Sequence, residues 1–174
     1  MPHTRPGSLD GMEGLLLYRM GRVSLTAGRL VVRMCEGRYG ITRREWHFLG
    51  QLALQDRLAP SELAQRSHLD KARTSRAITS LVNKGLVQRH VKASDRRQAE
   101  VALTEAGRSL YESLMPQVRS LNQELLGALS DAEASLLYGM LDRLQRRSEL
   151  MVDEHRAEWP KAMRHKGRTR RSGI

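Results

Sequence analysis

The sequence predicts a mainly α-helical chain interrupted by one short two-stranded hairpin, and three observations carry that expectation. Apolar residues recur at helical spacing along most of the chain. Hydrophobic residues make up 40% of it but aromatics only 4%, a balance that suits helices packed with Leu, Met, Ala and Val. Alternation of the strand kind is confined to one place, where Val101 and Leu103 flank Ala102. At 174 residues the chain is long enough for one domain with its own core.

The elements follow in order. Leu16, Met20, Val23, Ala27, Leu30 and Met34 mark a first helix from about Leu9 to Glu36, with Gly37 and Gly40 bracketing its end. Thr42 and Glu45 form a capping box that starts a second helix, whose apolar face is Trp46, Leu49, Leu52 and Ala53. Pro60 suits the first position of a third helix, where its missing N–H costs nothing; Leu63 and Ala64 face inward there. His68, Leu69 and Asp70 make a turn, and Asp70 caps a fourth helix from Lys71 to about Lys84. Ala77, Ile78, Leu81 and Val82 form its buried side, and Gly85 ends it. The hairpin takes Leu86–Lys92 and Ala99–Thr104. Thr104 caps a fifth helix that should bend near Pro116. A second capping box, Ser130 with Glu133, opens a sixth helix striped by Leu137, Met140, Leu141, Leu144 and Met151.

One helix, three short helices, a hairpin and two more helices make a winged helix-turn-helix flanked by helices from both ends of the chain. The segment DRRQAEVALTEAG from Asp95 to Gly107 has the spacing D-x-R-x3-V-x-L-T-x2-G and follows SELAQRSHLDKARTSRAITSLVNKGLVQR. It resembles the wing of the MarR family of bacterial transcription regulators, and the resemblance covers about Leu15 to Met151. The expected organisation is a flexible N-terminus (1–10), a dimer-forming domain (11–155) and a basic, disordered tail (156–174). Within the domain a DNA-binding lobe spans about 42–104, and dimerisation helices span about 11–36 and 105–155. Family likeness implies that the terminal helices interlock two copies into a homodimer on a pseudo-palindromic operator.

The formal net charge of +11 implies attraction to a polyanion, nucleic acid being the commonest. Between Pro60 and Thr104 nine basic residues face four acidic ones. Lys71, Arg73, Ser75 and Arg76 crowd the first turns of the fourth helix, the part of a helix-turn-helix that enters the major groove of double-stranded DNA. Arg73 and Arg76, three apart, share the face best placed for bases, whereas Thr74 falls on the inward side. Arg89, Lys92, Ser94, Asp95, Arg96 and Arg97 form a second cluster in the hairpin. By resemblance, Arg97 reaches the minor groove and Asp95 orients a wing arginine.

The resemblance also implies a small aromatic effector, a phenol or carboxylate. Its candidate partners are Tyr18 and Arg22, one turn apart, and Arg43, Trp46 and His47, which share a helix face. Cys35 is the only cysteine, which excludes an intrachain disulfide and a cysteine-based zinc site. Some relatives sense oxidants through one cysteine, but Glu36 beside Cys35 disfavours its thiolate. The six histidines show no ligand spacing, so neither metal nor cofactor is expected. No Gly-rich phosphate loop, nucleophile motif or carboxylate pair points to an enzyme. No signal-like or membrane-spanning run is present, and a cytoplasmic protein without membrane contact is expected. The rival readings are a nucleoid-associated architectural protein and a redox sensor using Cys35.

Overall fold

In the computed structural model, which describes residues 11–92, 95–155 and 158 and only the backbone of 91, 92 and 95–98, a 3₁₀ turn at Met12–Gly14 leads into α1 (Leu16–Tyr39). The expected end at Glu36 is corrected, because Gly37 is helical and only Gly40 takes the left-handed φ of 63° that closes the helix. The expected start is corrected as well: Leu15 is extended, so the regular turns begin at Leu16. Both capping boxes form. Thr42 starts α2 (Arg43–Leu54), accepting from Glu45 N at 3.2 Å while the Glu45 carboxylate accepts from Thr42 N at 2.6 Å. Ser130 and Glu133 start α6 (Asp131–Glu154) in the same way.

Pro60 opens α3 (Pro60–Arg66), and Asp70 caps α4 (Lys71–Asn83). Gly85, at φ 69°, turns the chain into β1 (Val87–Lys92), which pairs antiparallel with β2 (Asp95–Leu103). Val87 stands opposite Leu103 and Arg89 opposite Val101, with an irregularity between Val91 and Lys92. The second strand therefore starts four residues before the expected Ala99. Ladder hydrogen bonds need no apolar side chains, so Asp95 pairs with Lys92, and residues 96–98 are the extra length of β2 at the irregularity before Ala99 meets Val91. The connection contracts to residues 93 and 94, which lie outside the described residues. Leu58 adds a one-residue bridge to Val101, with N–H···O distances of 3.1 and 2.9 Å. A third segment thus joins the far side of β2.

α5 (Glu105–Leu126) begins where Thr104 accepts from Gly107 N at 3.0 Å and donates to Gly85 O at 2.6 Å. Gly107 lies directly on the Leu86 backbone: a Cβ there would stand 2.0 Å from Leu86 O. Pro116 sits inside α5 without ending it.

Residues up to Leu125 make one compact unit and those from Leu126 a second. The core belongs to the first. Phe48 and Leu49 of α2, Leu63 of α3, Leu81 of α4, Val101 of β2 and Leu114 of α5 are fully buried there. In the second unit, α6 buries no residue; Met140, Leu144 and Met151 of its apolar stripe are exposed. Among the described residues no helix is long and apolar enough to cross a membrane.

Candidate nucleic-acid interface

The two sides of α4 are chemically opposite. Thr74, Ala77, Ile78 and Leu81 are buried, and the Thr74 hydroxyl donates back to Asp70 O at 3.0 Å, as its inward position predicts. Lys71, Ser75 and Arg76 are exposed and Arg73 is half-buried, all within the first two turns. Asp70 holds this end. Its Oδ1 accepts from Arg73 N at 2.8 Å, and Oδ2 lies 3.4 Å from Arg73 Nε. Arg76 Nε makes a long contact, 3.4 Å, to Ala72 O. Helix geometry thus presents three cations and a hydroxyl at the positive end of the helix dipole, where anions are favoured.

In the wing, Arg89 is exposed and donates from Nη2 to Thr79 Oγ1 of α4 at 3.1 Å. The expectation made Arg89 a DNA contact only; the structure adds a tie between wing and helix. Lys92, Asp95, Arg96 and Arg97 are placed at the outer end of the hairpin, Lys92 opposite Asp95. Ser94 lies outside the described residues, as do residues 1–10 and the basic run from Lys161 onward.

One polar cluster escaped the sequence. The Glu45 side chain is 3% exposed, and Lys84 Nζ lies 2.8 and 3.0 Å from its two oxygens and 2.8 Å from Gly40 O. Although burial alone would raise the Glu45 pKa, bonds from Lys84, Ser80 and Thr42 N hold it below the ordinary value. Lys84 therefore joins the end of α4 to the end of α1 and the start of α2. Glu45 and Lys84 are 39 positions apart, and that separation left no local signal of the pairing.

Of the candidate effector residues, Arg43, Trp46 and His47 gather at the start of α2. The rings of Trp46 and His47 meet edge-on with centroids 4.8 Å apart. Trp46 Nε1 is enclosed without a hydrogen-bond partner among the described residues. Desolvation, and then the charge of Arg43, lower the His47 pKa, which leaves Arg43 as the cation of this group at neutral pH. The Arg43 guanidinium lies over Gly28, where an added Cβ would stand 2.8 Å from Nη1. Tyr18 is ten residues from Gly28, roughly 15 Å along the helix, and Arg22 about 9 Å. The two halves of the expected pocket thus sit at different levels of α1. A separate groove of about 320 Å³ is lined by Leu30, Met34, Gln117, Ser120 and Leu121, none of them an expected effector residue.

Cys35 is fully buried, and burial followed by Glu36 raises its pKa, with Arg43 only partly opposing. A buried, protonated thiol is a poor peroxide target. Among the described residues no His, Cys, Asp and Glu group is arranged to hold a metal.

The sequence model of the MarR family matches residues 39–98, from the end of α1 into the wing. The uncharacterized HTH-type transcriptional regulator YdgJ of Bacillus subtilis is 30% identical over 133 residues, which are 76% of this chain and 79% of the relative. The chain belongs to the MarR family. A MarR family transcriptional regulator from Silicibacter pomeroyi has a crystal structure that matches at a TM-score of 0.67 with 30% identity, over 77% of this chain and 95% of that one. The transcriptional repressor YetL of Bacillus subtilis is 31% identical over 101 residues, 58% of this chain and 60% of the relative. The MarR-family winged helix-turn-helix expected from the sequence is borne out, and the chain is a DNA-binding transcriptional regulator, not an enzyme.

Proposed function

We propose that this MarR-family chain works as a homodimer on a pseudo-palindromic operator, represses transcription, and is released by a small aromatic carboxylate or phenol. The observation that carries the reading is the two-sided α4: its inner face is locked in the core while Lys71, Arg73, Ser75 and Arg76 stand outward on its first turns. Arginine pairs two ways with guanine O6 and N7, so Arg73 and Arg76 read bases, while Lys71 and Ser75 hold phosphates. Arg89, Lys92, Ser94, Arg96 and Arg97 bind the backbone and minor groove beside them, with Asp95 orienting an arginine.

The reading lobe is residues 42–104, and the helices within 11–36 and 105–155 make the dimer. Exposed apolar side chains support this division. Leu16, Leu17, Val23 and Leu25 in α1, and Leu136, Met140, Leu150 and Val152 in α6, all stand in solvent in a single copy. Apolar surface of this extent marks an association site. The effector engages Arg43 through its anionic group and Trp46 through its ring. Repression, rather than activation, is supported by the name of YetL, a repressor.

Binding to the DNA upstream of the protein's own gene tests the reading. Retention of one fragment in excess competitor DNA, and release by a hydroxylated or carboxylated aromatic ring, are the expected results. Equal loss to any competitor would instead describe an architectural DNA-binding protein.

A further inference from the structure

The start of α4 contains an acidic residue on the turn that, in the function proposed above, faces DNA. A lone carboxylate there is repelled by phosphates, and any good N-cap without charge would serve the helix equally well. Asp70 differs from such a cap in what its second oxygen does. Oδ1 accepts from Arg73 N at 2.8 Å and fixes the carboxylate plane, while Oδ2 stands 3.4 Å from Arg73 Nε. The backbone carbonyl of the same residue accepts from Thr74 N and from the Thr74 hydroxyl, each at 3.0 Å. Thr74 is 2% exposed. The carboxylate is therefore attached to the core through its own main chain, and Arg73 is attached to the carboxylate.

An arginine has five N–H donors in a rigid fork. In Arg73 it is Nε that stands 3.4 Å from the carboxylate, and the two Nη groups carry the paired donors that a guanine edge takes. Fixing a long side chain before its partner arrives removes part of the ordering cost of binding, and fixing its direction selects which base step it meets. Among the described residues Arg76 has no comparable carboxylate: its Nε contact is the 3.4 Å approach to Ala72 O.

We propose that Asp70 is a specificity-determining positioning residue, which aims the Arg73 guanidinium at one base pair of each half-site. This rests on α4 being the major-groove element.

The test compares the intact protein with Asp70→Asn, Asp70→Ser, Arg73→Ala and the Asp70→Asn/Arg73→Ala double variant. Each is titrated on an operator panel substituted one base pair at a time and on unrelated duplex DNA. Asn and Ser keep the cap without the charge, so melting temperature and dimer mass should stay at the wild-type values. Arg73→Ala should flatten preference at one base pair. Asp70→Asn and Asp70→Ser should reduce preference at that same base pair five- to tenfold, while affinity for unrelated DNA holds or rises as a negative charge is lost. In the double variant the Asp70 change should have no further effect there. If Arg73→Ala flattens a position and neither Asp70 variant does, or the Asp70 effect persists without Arg73, the positioning role is overturned alone. If Arg73→Ala alters no base preference, the assignment of α4 falls with it.

Discussion

Replacing Lys84 by Met removes the ammonium group that donates to both Glu45 oxygens and to Gly40 O, while keeping most of the side-chain volume. The Glu45 carboxylate, 3% exposed, then keeps only Thr42 N and Ser80. Stripping one member from a buried ion pair costs about 3–5 kcal/mol. The Lys84 side chain is 34% exposed, so water reaches part of the vacated site, and about 2–3 kcal/mol is expected after that discount. For a chain of this size the melting temperature should drop by roughly 4–12 °C at fixed protein concentration. The pH dependence is more diagnostic. Wild-type Glu45 has its pKa lowered by folding, so its contribution is present at neutral pH and fades as acid approaches the folded value. In Lys84→Met the bond and the charge of Lys84 no longer oppose desolvation, so the folded pKa of Glu45 should rise from its wild-type position. Acid then costs the variant less than it costs wild type, and the gap between them should narrow from pH 7 toward about pH 4. Urea unfolding followed by circular dichroism at several pH values measures this. A gap absent at pH 7, or constant across the range, would refute the account; adding Glu45→Gln to Lys84→Met should recover most of the loss.

Gly107→Ala should destabilise by more than the roughly 1–3 kcal/mol of ordinary overpacking, because its Cβ meets the Leu86 backbone rather than a side chain that can turn away. A melting temperature within 2–3 °C of wild type, a shift of about 1 kcal/mol, would show that α5 can lift off. Arg97→Ala should weaken operator binding while leaving melting temperature unchanged, and the slope of log affinity against log salt should become shallower by about 0.9 for one lost phosphate contact. An unchanged slope and affinity would remove Arg97 from the interface. Cys35 should resist a disulfide thiol reagent in the native protein and react fully in urea, as burial and a raised pKa require. Fast labelling of the folded protein would restore the redox reading.

Much of the fold was legible because its signals are local. Thr42 with Glu45, Ser130 with Glu133, Pro60 and Asp70 each mark a helix start within four residues, and all four occur where the chain chemistry places them. Helix ends were less so, since Gly37 and Gly40 look alike in sequence and only the tertiary course of the chain gives Gly40 a positive φ. β2 runs on past its alternation, which marks only the end where Val101 and Ala102 are buried. At the site, the basic turns of α4 were visible from spacing, whereas Arg89–Thr79 and Lys84–Glu45 join separate elements and have no periodic trace. The effector grouping suffered from the same blindness. Helical spacing locates residues on a face but gives no height between one helix and another, so Tyr18 and Arg43 seemed nearer in sequence logic than α1 and α2 allow.

Leu58 gives the wing a mechanical property. Val101 stands opposite Arg89 of β1 and is hydrogen-bonded on its other edge to Leu58, in the main chain leading into α3. Arg89 in turn grips Thr79, in the second half of α4. The wing root and the helix-turn-helix therefore behave as a caliper with its jaw screwed shut: the span between the α4 face and the base of the hairpin is set before any duplex arrives. If α4 and the wing engage one half-site together, as proposed, a half-site whose grooves do not match that span has to bend or narrow to fit. Sequence at positions that no side chain touches then affects affinity through the stiffness of the DNA rather than through contact.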